Sequence, residues 1–231
     1  MQRRKFTSVL ASAGGLWLLS EGTAARGAGI TESDAALGVR AALERGASSA
    51  IALLGRSGGF LDNPKVRIPL PGFLNDAAKL LKYTGQQKRI DELVTAMNRA
   101  AEAAVPQAKS LLVNAVKAMS VEDGKQILTG GDNSVTEFFA SKTRAPLSVT
   151  FLPIVTKATE KVSLADKYNA VAGKASGLGL LNKDDANVQQ YVTAKTLDGL
   201  YLVIGEEERK IRRDPVGTGS AILQKVFGSL K

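Results

Sequence analysis

The sequence predicts an all-α fold: a single helical bundle of about eight or nine helices, crossed by one extended, proline-rich strap. Three observations support this prediction. Apolar residues recur every three or four positions along most of the chain, as they do on one face of a helix. Aromatic residues make up only 5% of the sequence, so the core must consist mainly of Leu, Val, Ile and Ala. Alternating apolar residues, which would indicate a strand, occur only at residues 65–70.

Capping residues and glycines give the helix boundaries. A Ser or Thr followed three residues later by Asp or Glu forms the capping box that begins a helix. This pattern starts at Thr31, Ser120, Ser134 and Ser163. Glycines, which commonly end helices, follow the helical spacing at Gly55 and at 130–131. The predicted helices are 33–54, 72–84, 89–119, 121–129, 135–144, 146–162, 164–175, 186–213 and 219–228.

The third predicted helix, 89–119, is the longest and contains Pro106. Its apolar residues keep helical spacing on both sides of the proline. Because proline has no N–H to donate to the preceding turn, we expect a kink at this position.

Residues 63–71, NPKVRIPLP, interrupt the helical pattern with three prolines and form the predicted strap. A residue that precedes proline avoids helical backbone angles, so this segment is expected to be extended. In an extended segment, Val66 and Ile68 face one side while Lys65 and Arg67 face the other. The strap is then either a crossover that covers the core or the edge of a ligand site.

The first 28 residues have the features of an export signal. Basic residues precede an apolar run at 9–19 that is too short to span a bilayer, and small residues follow. The sequence RRKF at 3–6 resembles the core of twin-arginine signals, with an ordinary secretory signal as the alternative. We expect cleavage near Ala28 and a periplasmic location. The mature chain, 29–231, is expected to form a single all-α domain without a transmembrane helix.

The absence of two residue types narrows the possible chemistry. The sequence contains neither Cys nor His, which excludes disulfides, Ser-His and Cys-His catalysis, and metal sites built from those ligands. An enzyme would have to use carboxylates, lysine, tyrosine or a bound cofactor. We therefore expect a protein without catalytic residues, cofactor or metal.

The net charge favours an anionic partner. Removing residues 1–28 takes away four basic residues and one acidic residue, which lowers the net charge from +9 to +6. Lipid headgroups and acidic envelope polymers would complement this charge. Export, and the lack of a basic patch interleaved with aromatic residues, argue against a nucleic-acid partner.

Four ordered segments carry a resemblance to one family. They are LGRSGGFLDNPKVRIPLP, VTAMNRAAEAAVPQAK, YVTAKTLDGLYLVIGEEERKIRRDP and KVFG. Together they resemble the bacterial domain-of-unknown-function family 4197 from about Asp34 to Gly228. The resemblance implies an exported or lipid-anchored helical envelope protein with no assigned activity, substrate, cofactor or catalytic residue. The chain has no cysteine to which a lipid anchor could be attached.

Polar residues interrupt two predicted helices and form a candidate binding site. Asn98 and Arg99 lie in the long third helix, and Asp198 and Glu207 lie in the helix near the C-terminus. With Arg67 of the strap, they would surround a polar pocket. The alternative is that they hold closely packed helices together or form ion pairs on the surface.

The densest charge cluster, GEEERKIRRDP, occupies residues 205–215. Two acidic residues in it precede basic residues by four positions, Glu206–Lys210 and Glu208–Arg212, which favours ion pairs on a solvated face. Glu207 continues the apolar stripe of its helix, so we expect it to point inward. A buried carboxylate needs a cation, and a pair with Arg67 would fasten the strap to this helix.

Three functions fit these observations. The leading interpretation is a non-catalytic binding or scaffolding component of the cell envelope, with an envelope protein or an anionic envelope component as partner. The first alternative is a carboxylate- or lysine-dependent enzyme that acts on an envelope polymer or lipid. The second is a carrier of an apolar ligand, which would require a cavity lined by Leu and Val.

Overall fold

The computed structural model describes residues 31–71, 85, 87–131, 133–177, 187–218 and 220–228. Within these ranges the regular structure is helical and contains no strand, which confirms the all-α prediction. The helices are α1 (Glu32–Leu54), α2 (Gln87–Ala104), α3 (Lys109–Lys117), α4 (Val121–Thr129), α5 (Ser134–Thr159), α6 (Ser163–Gly177), α7 (Val188–Arg213) and α8 (Ala221–Gly228). The predicted export signal and the predicted helix 72–84 lie outside the described residues.

Prolines divide the chain differently from the prediction. The predicted helix 89–119 is interrupted, because residues Val105–Ala108 form a 3-10 turn that contains Pro106. Conversely, the segments predicted as two helices, 135–144 and 146–162, are the single helix α5 with Pro146 and Pro153 in its interior. Both prolines are exposed, so the carbonyl groups that lose their helical donors lie on a side of α5 that water can reach.

Two of the predicted capping boxes are confirmed. Thr31 and Ser120 begin α1 and α4, and each exchanges side-chain and backbone hydrogen bonds with the Asp three residues later. The box predicted at Ser134 is wrong. There α5 follows Asn133, and the Ser134 hydroxyl donates instead to the carbonyl of Ile127 at 3.2 Å, which links α5 to the end of α4.

The core lies between α1, α5 and α7, with α2 against α5 and α8 against α1. Aliphatic and alanine side chains form most of it, together with a few aromatic rings such as Phe139, Phe151 and Tyr201. The contact between α1 and α8 depends on a glycine. A Cβ added at Gly38 of α1 would lie 2.6 Å from a methyl carbon of Val226 in α8, so any larger residue would push these helices apart.

The strap is extended over a shorter length than predicted. The strap begins with a turn at Asn63, whose carbonyl accepts the N–H groups of Val66 and Arg67 at 3.2 and 2.9 Å. Its side chain also accepts the N–H of Lys65 at 3.2 Å. This local bonding is characteristic of Asn in turns, and the extended part therefore begins only at Arg67.

The predicted sidedness of the strap is confirmed. Val66 and Ile68 are 8% and 1% exposed, whereas Lys65 and Arg67 are exposed. No helix within the described ranges has both the length and the apolar composition needed to cross a membrane.

Candidate functional site: the strap groove

Asn98 of α2 holds the strap by its backbone. Its side chain is fully buried and pairs with both polar groups of Ile68. The Ile68 N–H donates to Asn98 Oδ1 at 2.8 Å, and Asn98 Nδ2 donates to the Ile68 carbonyl at 2.9 Å. The same Nδ2 also donates to the carbonyl of Val94 one turn earlier, at 2.8 Å. A strand in a sheet would obtain these two hydrogen bonds from its neighbouring strand. The strap lies on helices and has no such neighbour, so the Asn98 amide supplies them.

Glu102, one turn further along α2, holds the chain just before the strap. Its Oε1 accepts the backbone N–H groups of Phe60 and Leu61, both at 3.1 Å. Its Oε2 accepts Arg99 Nη1 at 2.6 Å, and the same nitrogen lies 2.7 Å from the hydroxyl of Ser57. The residue is only 4% exposed, so this buried carboxylate has a cation and two backbone donors as partners.

The pKa of Glu102 reflects these contacts. Burial on its own raises the pKa of a carboxyl group, because it disfavours the charged form. Hydrogen bonds from the Leu61 N–H, the Arg99 guanidinium and the Phe60 N–H outweigh burial and hold the pKa of Glu102 below its usual value. The group is therefore ionised in the folded protein at neutral pH.

Helix α7 holds the other side of the strap. The Tyr191 hydroxyl donates to the carbonyl of Pro69 at 3.0 Å. Further along, Gly199 gives the backbone room to approach, since a Cβ there would lie 2.9 Å from the ring of Phe60 and 3.2 Å from Val66. The strap backbone therefore has anchors from both α2 and α7.

Between the outer edge of the strap and α7 lies an open cavity of about 330 Å³, which we call the strap groove. Its charged lining residues are Lys65, Arg67, Lys195 and Asp198. The apolar part of its wall includes Leu202, which is 40% exposed. Three cations and one carboxylate give the groove an excess of positive charge.

Most charged groups of the groove have partners. Asp198 accepts Arg144 Nη2 at 2.8 Å and lies 3.8 Å from Lys195 Nζ. Lys65 Nζ lies 2.9 Å from Glu206 Oε1. Arg67 differs: within the described part of the chain, no carboxylate forms an ion pair with it. Its guanidinium is thus available on an anchored backbone.

The five predicted site residues fall into three places. Arg67 and Asp198 line the strap groove. Asn98 and Arg99 do not line the groove: Asn98 bonds to the strap backbone at Ile68, and Arg99 bonds to Ser57 and Glu102. Glu207 lies outside the groove, against Gly46 of α1, and its carboxylate pairs with Lys210.

The predicted pair between Arg67 and Glu207 is wrong. The strap is fastened to α7 by Lys65 and Glu206 instead, and the carboxylate that points inward is Glu208, which is 3% exposed. Glu208 pairs with Arg212, as the spacing predicted. The spacing of Glu102, one turn from Asn98 on the same helix face, could have indicated that it belongs with Asn98. Nothing in the sequence indicates that it accepts the backbone N–H groups of Phe60 and Leu61.

A second open cavity, of about 570 Å³, lies where α4 meets α5, and Asp123, Glu137 and Lys142 line it. A carboxylate-dependent hydrolase would need two carboxyl groups in one cavity. Asp123, however, belongs to the capping box of α4: the backbone N–H and the hydroxyl of Ser120 donate to its carboxylate and lower its pKa. With Lys142 3.9 Å away as well, this carboxylate has a structural role.

The described residues contain no group of three acidic side chains close enough together to hold a metal ion.

Comparison with known proteins assigns the chain to a family. The family described as "Protein of unknown function (DUF4197)" matches residues 29–228, which include every described helix. No curated protein and no solved structure matches the chain. The description of the family names no activity. The chain belongs to the DUF4197 family of proteins of unknown function.

Proposed function

We propose that this protein is an exported, non-catalytic binding component of the cell envelope, and that its strap groove holds a phosphate-bearing envelope component. The observation that carries the proposal is Arg67. It lines an open groove beside Lys65 and Lys195 and forms no ion pair with a described carboxylate. A guanidinium binds phosphate through two parallel N–H groups, so a single anchored arginine supplies both charge and direction.

Rigidity of the strap supports this proposal. Side chains of α2 and α7 hydrogen-bond to the backbone at Ile68 and Pro69, directly after Arg67. A backbone that is already ordered loses little conformational entropy when a ligand binds. The groove is open and shallow enough for a headgroup or a polymer unit, and its exposed Leu202 offers a contact for adjoining apolar atoms.

The two alternatives have less support. In the cavity at the α4–α5 junction, one of the two carboxylates is engaged as a helix cap, which disfavours acid–base catalysis there. An apolar carrier would need a cavity walled by Leu and Val. Both open cavities described above have charged side chains in their walls, which favours a polar ligand.

The binding test uses sn-glycerol 3-phosphate and vesicles that contain an anionic phospholipid. We expect the residue 29–231 protein to bind both, with an affinity that falls as salt concentration rises. Arg67→Ala should weaken binding by about tenfold, equivalent to about 1.4 kcal/mol. Arg56→Ala is the matched control, because Arg56 is also exposed but lines a different cavity.

Equal affinity in Arg67→Ala and wild type would overturn the proposed site. Binding to vesicles but not to glycerol phosphate would indicate a lipid surface rather than a phosphate group as the ligand. Failure of both probes to bind the wild-type protein would remove the anion-binding function altogether.

Export is the second part of the proposal, and it rests on the twin-arginine pattern RRKF at residues 3–6 and the apolar run that follows. Replacing Arg3 and Arg4 with lysine should leave the unprocessed precursor in the cytoplasm, whereas the wild-type protein should be cleaved near Ala28 and recovered from the periplasm. Fractionation followed by N-terminal sequencing measures both. Normal processing of the double variant would point to the general secretory route.

A further inference from the structure

A third cavity lies between α5 and α7, on the other side of the ion pair that borders the strap groove. Its volume is about 280 Å³. Its lining residues are Arg144, Ser148, Val149, Leu152, Gln190, Thr193 and Ala194. Arg144 belongs to its wall, and the partner of Arg144, Asp198, belongs to the wall of the strap groove. Adjacent faces of α7 therefore line two different concavities.

Two polar groups in the wall of this cavity have no partner. The side-chain oxygens of Gln190 and Thr193 are buried, and neither has a hydrogen-bond partner among the described residues. Thr193 is only 5% exposed. A buried polar group without a partner destabilises a protein, and such groups are rare in native structures. Here two of them occur one turn apart on α7, in the wall of the same cavity.

Both side chains can turn toward the cavity at low cost. Threonine in a helix populates two rotamers, so a rotation about χ1 moves its hydroxyl to a second staggered position. The terminal torsion of glutamine is broad. Ser148 adds a third polar group, a hydroxyl, from the α5 side of the cavity. A ligand in the cavity can thus meet up to three hydroxyl or amide groups that face it from two helices.

The rest of the wall is apolar and uncovered. Val149 is 76% exposed and Leu152 is 37% exposed, which places them among the few large apolar residues that are exposed in the described part of the chain. Arg144 is at the edge of the cavity, but Asp198 already neutralises it at 2.8 Å. The cavity therefore combines an apolar surface, hydrogen-bonding groups and little net charge.

We infer that this cavity binds a neutral polyhydroxylated ring of monosaccharide size. Hydroxyl groups both donate and accept, so they can serve the Gln190 oxygen and the Thr193 hydroxyl at once. The C–H face of such a ring covers Val149 and Leu152. A carboxylate could not donate to the Gln190 oxygen, and an ammonium group could not accept a hydrogen bond from the Thr193 hydroxyl. The volume lies just below the range for drug-sized ligands, which suits a single ring.

This inference goes beyond the proposed anion site and does not depend on it, because the hydrogen-bonding groups differ. The probes are glucose, N-acetylglucosamine and the linear trimer of N-acetylglucosamine, at millimolar concentration. Saturation-transfer NMR detects contact between ligand and protein, and a titration of protein chemical shifts gives the affinity. The trimer binding as well as or better than the monomer would identify a unit of a polymer, and weaker binding of the trimer would identify a free sugar.

Two variants, each with a matched control, test the assignment of the site. Thr193→Val keeps the shape of the side chain but removes the unpartnered hydroxyl, and it should weaken binding by about tenfold while raising the melting temperature of the ligand-free protein. Thr196→Val is the matched control on the same helix, because the Thr196 hydroxyl is bonded to the Val192 carbonyl at 2.6 Å. It should leave binding unchanged.

Val149→Trp fills the cavity from an exposed position, so it should abolish binding without affecting folding. Val216→Trp is its control: this position is 68% exposed but outside the cavity, and the change should leave binding intact. The inference is overturned if none of the three sugars binds the wild-type protein. It is equally overturned if one binds but keeps its affinity in both Thr193→Val and Val149→Trp.

Discussion

At the scale of single residues, the strap depends on two side chains of α2. Asn98 satisfies the N–H and the carbonyl of Ile68, and Glu102 accepts two N–H groups just before the strap. Backbone groups in a helix or sheet find partners in the element itself, but an irregular segment has to obtain them from side chains. These two residues therefore supply the order that three prolines alone cannot give.

Asn98→Ala should be strongly destabilising. It removes both partners of the Ile68 backbone from a fully buried place, and we expect a loss of about 2–4 kcal/mol in the free energy of unfolding. Asn114→Ala, at an exposed position of α3, should stay within about 0.5 kcal/mol of wild type. Urea midpoints measure both. A loss no larger than that of the control would contradict the role assigned to Asn98.

Glu102 makes stability depend on pH in a defined direction. Its pKa is lowered in the folded protein, so its stabilisation is complete above the pKa of about 4.3 in the unfolded chain and is lost as pH falls through the lower folded value. The urea midpoint of wild type should therefore fall more steeply between about pH 5 and pH 3 than that of Glu102→Gln. Asp34 and Asp123, whose pKa values are also lowered, are unchanged in the variant and contribute equally. Parallel curves would refute this account.

At the scale of elements, the C-terminal half of α7 serves two neighbours. On one side Glu206 pairs with Lys65 of the strap. On another, Glu208 holds Arg212, whose Nη2 donates to the carbonyl of Ile127 at 2.6 Å and so caps the end of α4. The cluster that looked like a solvated charged face in the sequence is thus a junction between three elements.

Breaking that junction should cost more than breaking a surface pair nearby. Arg212→Met leaves the Glu208 carboxylate, whose side chain is 4% exposed, without its guanidinium, and we expect a loss of about 2–4 kcal/mol. Lys210→Met removes the partner of Glu207 from an exposed pair and should cost at most about 0.5 kcal/mol. Thermal or urea unfolding compares them, and equal effects would mean that the Glu208 pair is not a junction.

Sequence alone could predict the elements where the deciding contacts are local. The capping boxes at Thr31 and Ser120 involve residues three apart, and both are confirmed. The continuation of α5 through Pro146 was not predictable, because it depends on this proline lying on the exposed face, where other elements determine burial. The same holds for Glu207 and Glu208, neighbours about 100° apart around the helix, whose burial depends on how α7 is rotated in the bundle.

At the scale of the whole molecule, α7 contributes adjacent faces to the two proposed sites. The Arg144–Asp198 pair stands between the strap groove and the cavity between α5 and α7. Of the strap groove, the sequence could predict the sidedness of Arg67 and the proximity of Asp198. It could not predict the ion pair of Lys65 with Glu206, because these residues are 141 positions apart in the chain. Nor could it predict that the side-chain oxygens of Gln190 and Thr193 lack partners among the described residues, because this follows from tertiary packing.

The location of the bound anion tests most directly whether the strap groove is the binding site. Backbone amide chemical shifts of the residue 29–231 protein should be recorded while sn-glycerol 3-phosphate is added. We expect concentration-dependent shifts at residues 65–68 and 195–202, and their loss in Arg67→Ala but not in Arg56→Ala. Shifts confined to other parts of the bundle, such as the α4–α5 junction, or shifts at the strap that persist in Arg67→Ala, would contradict it.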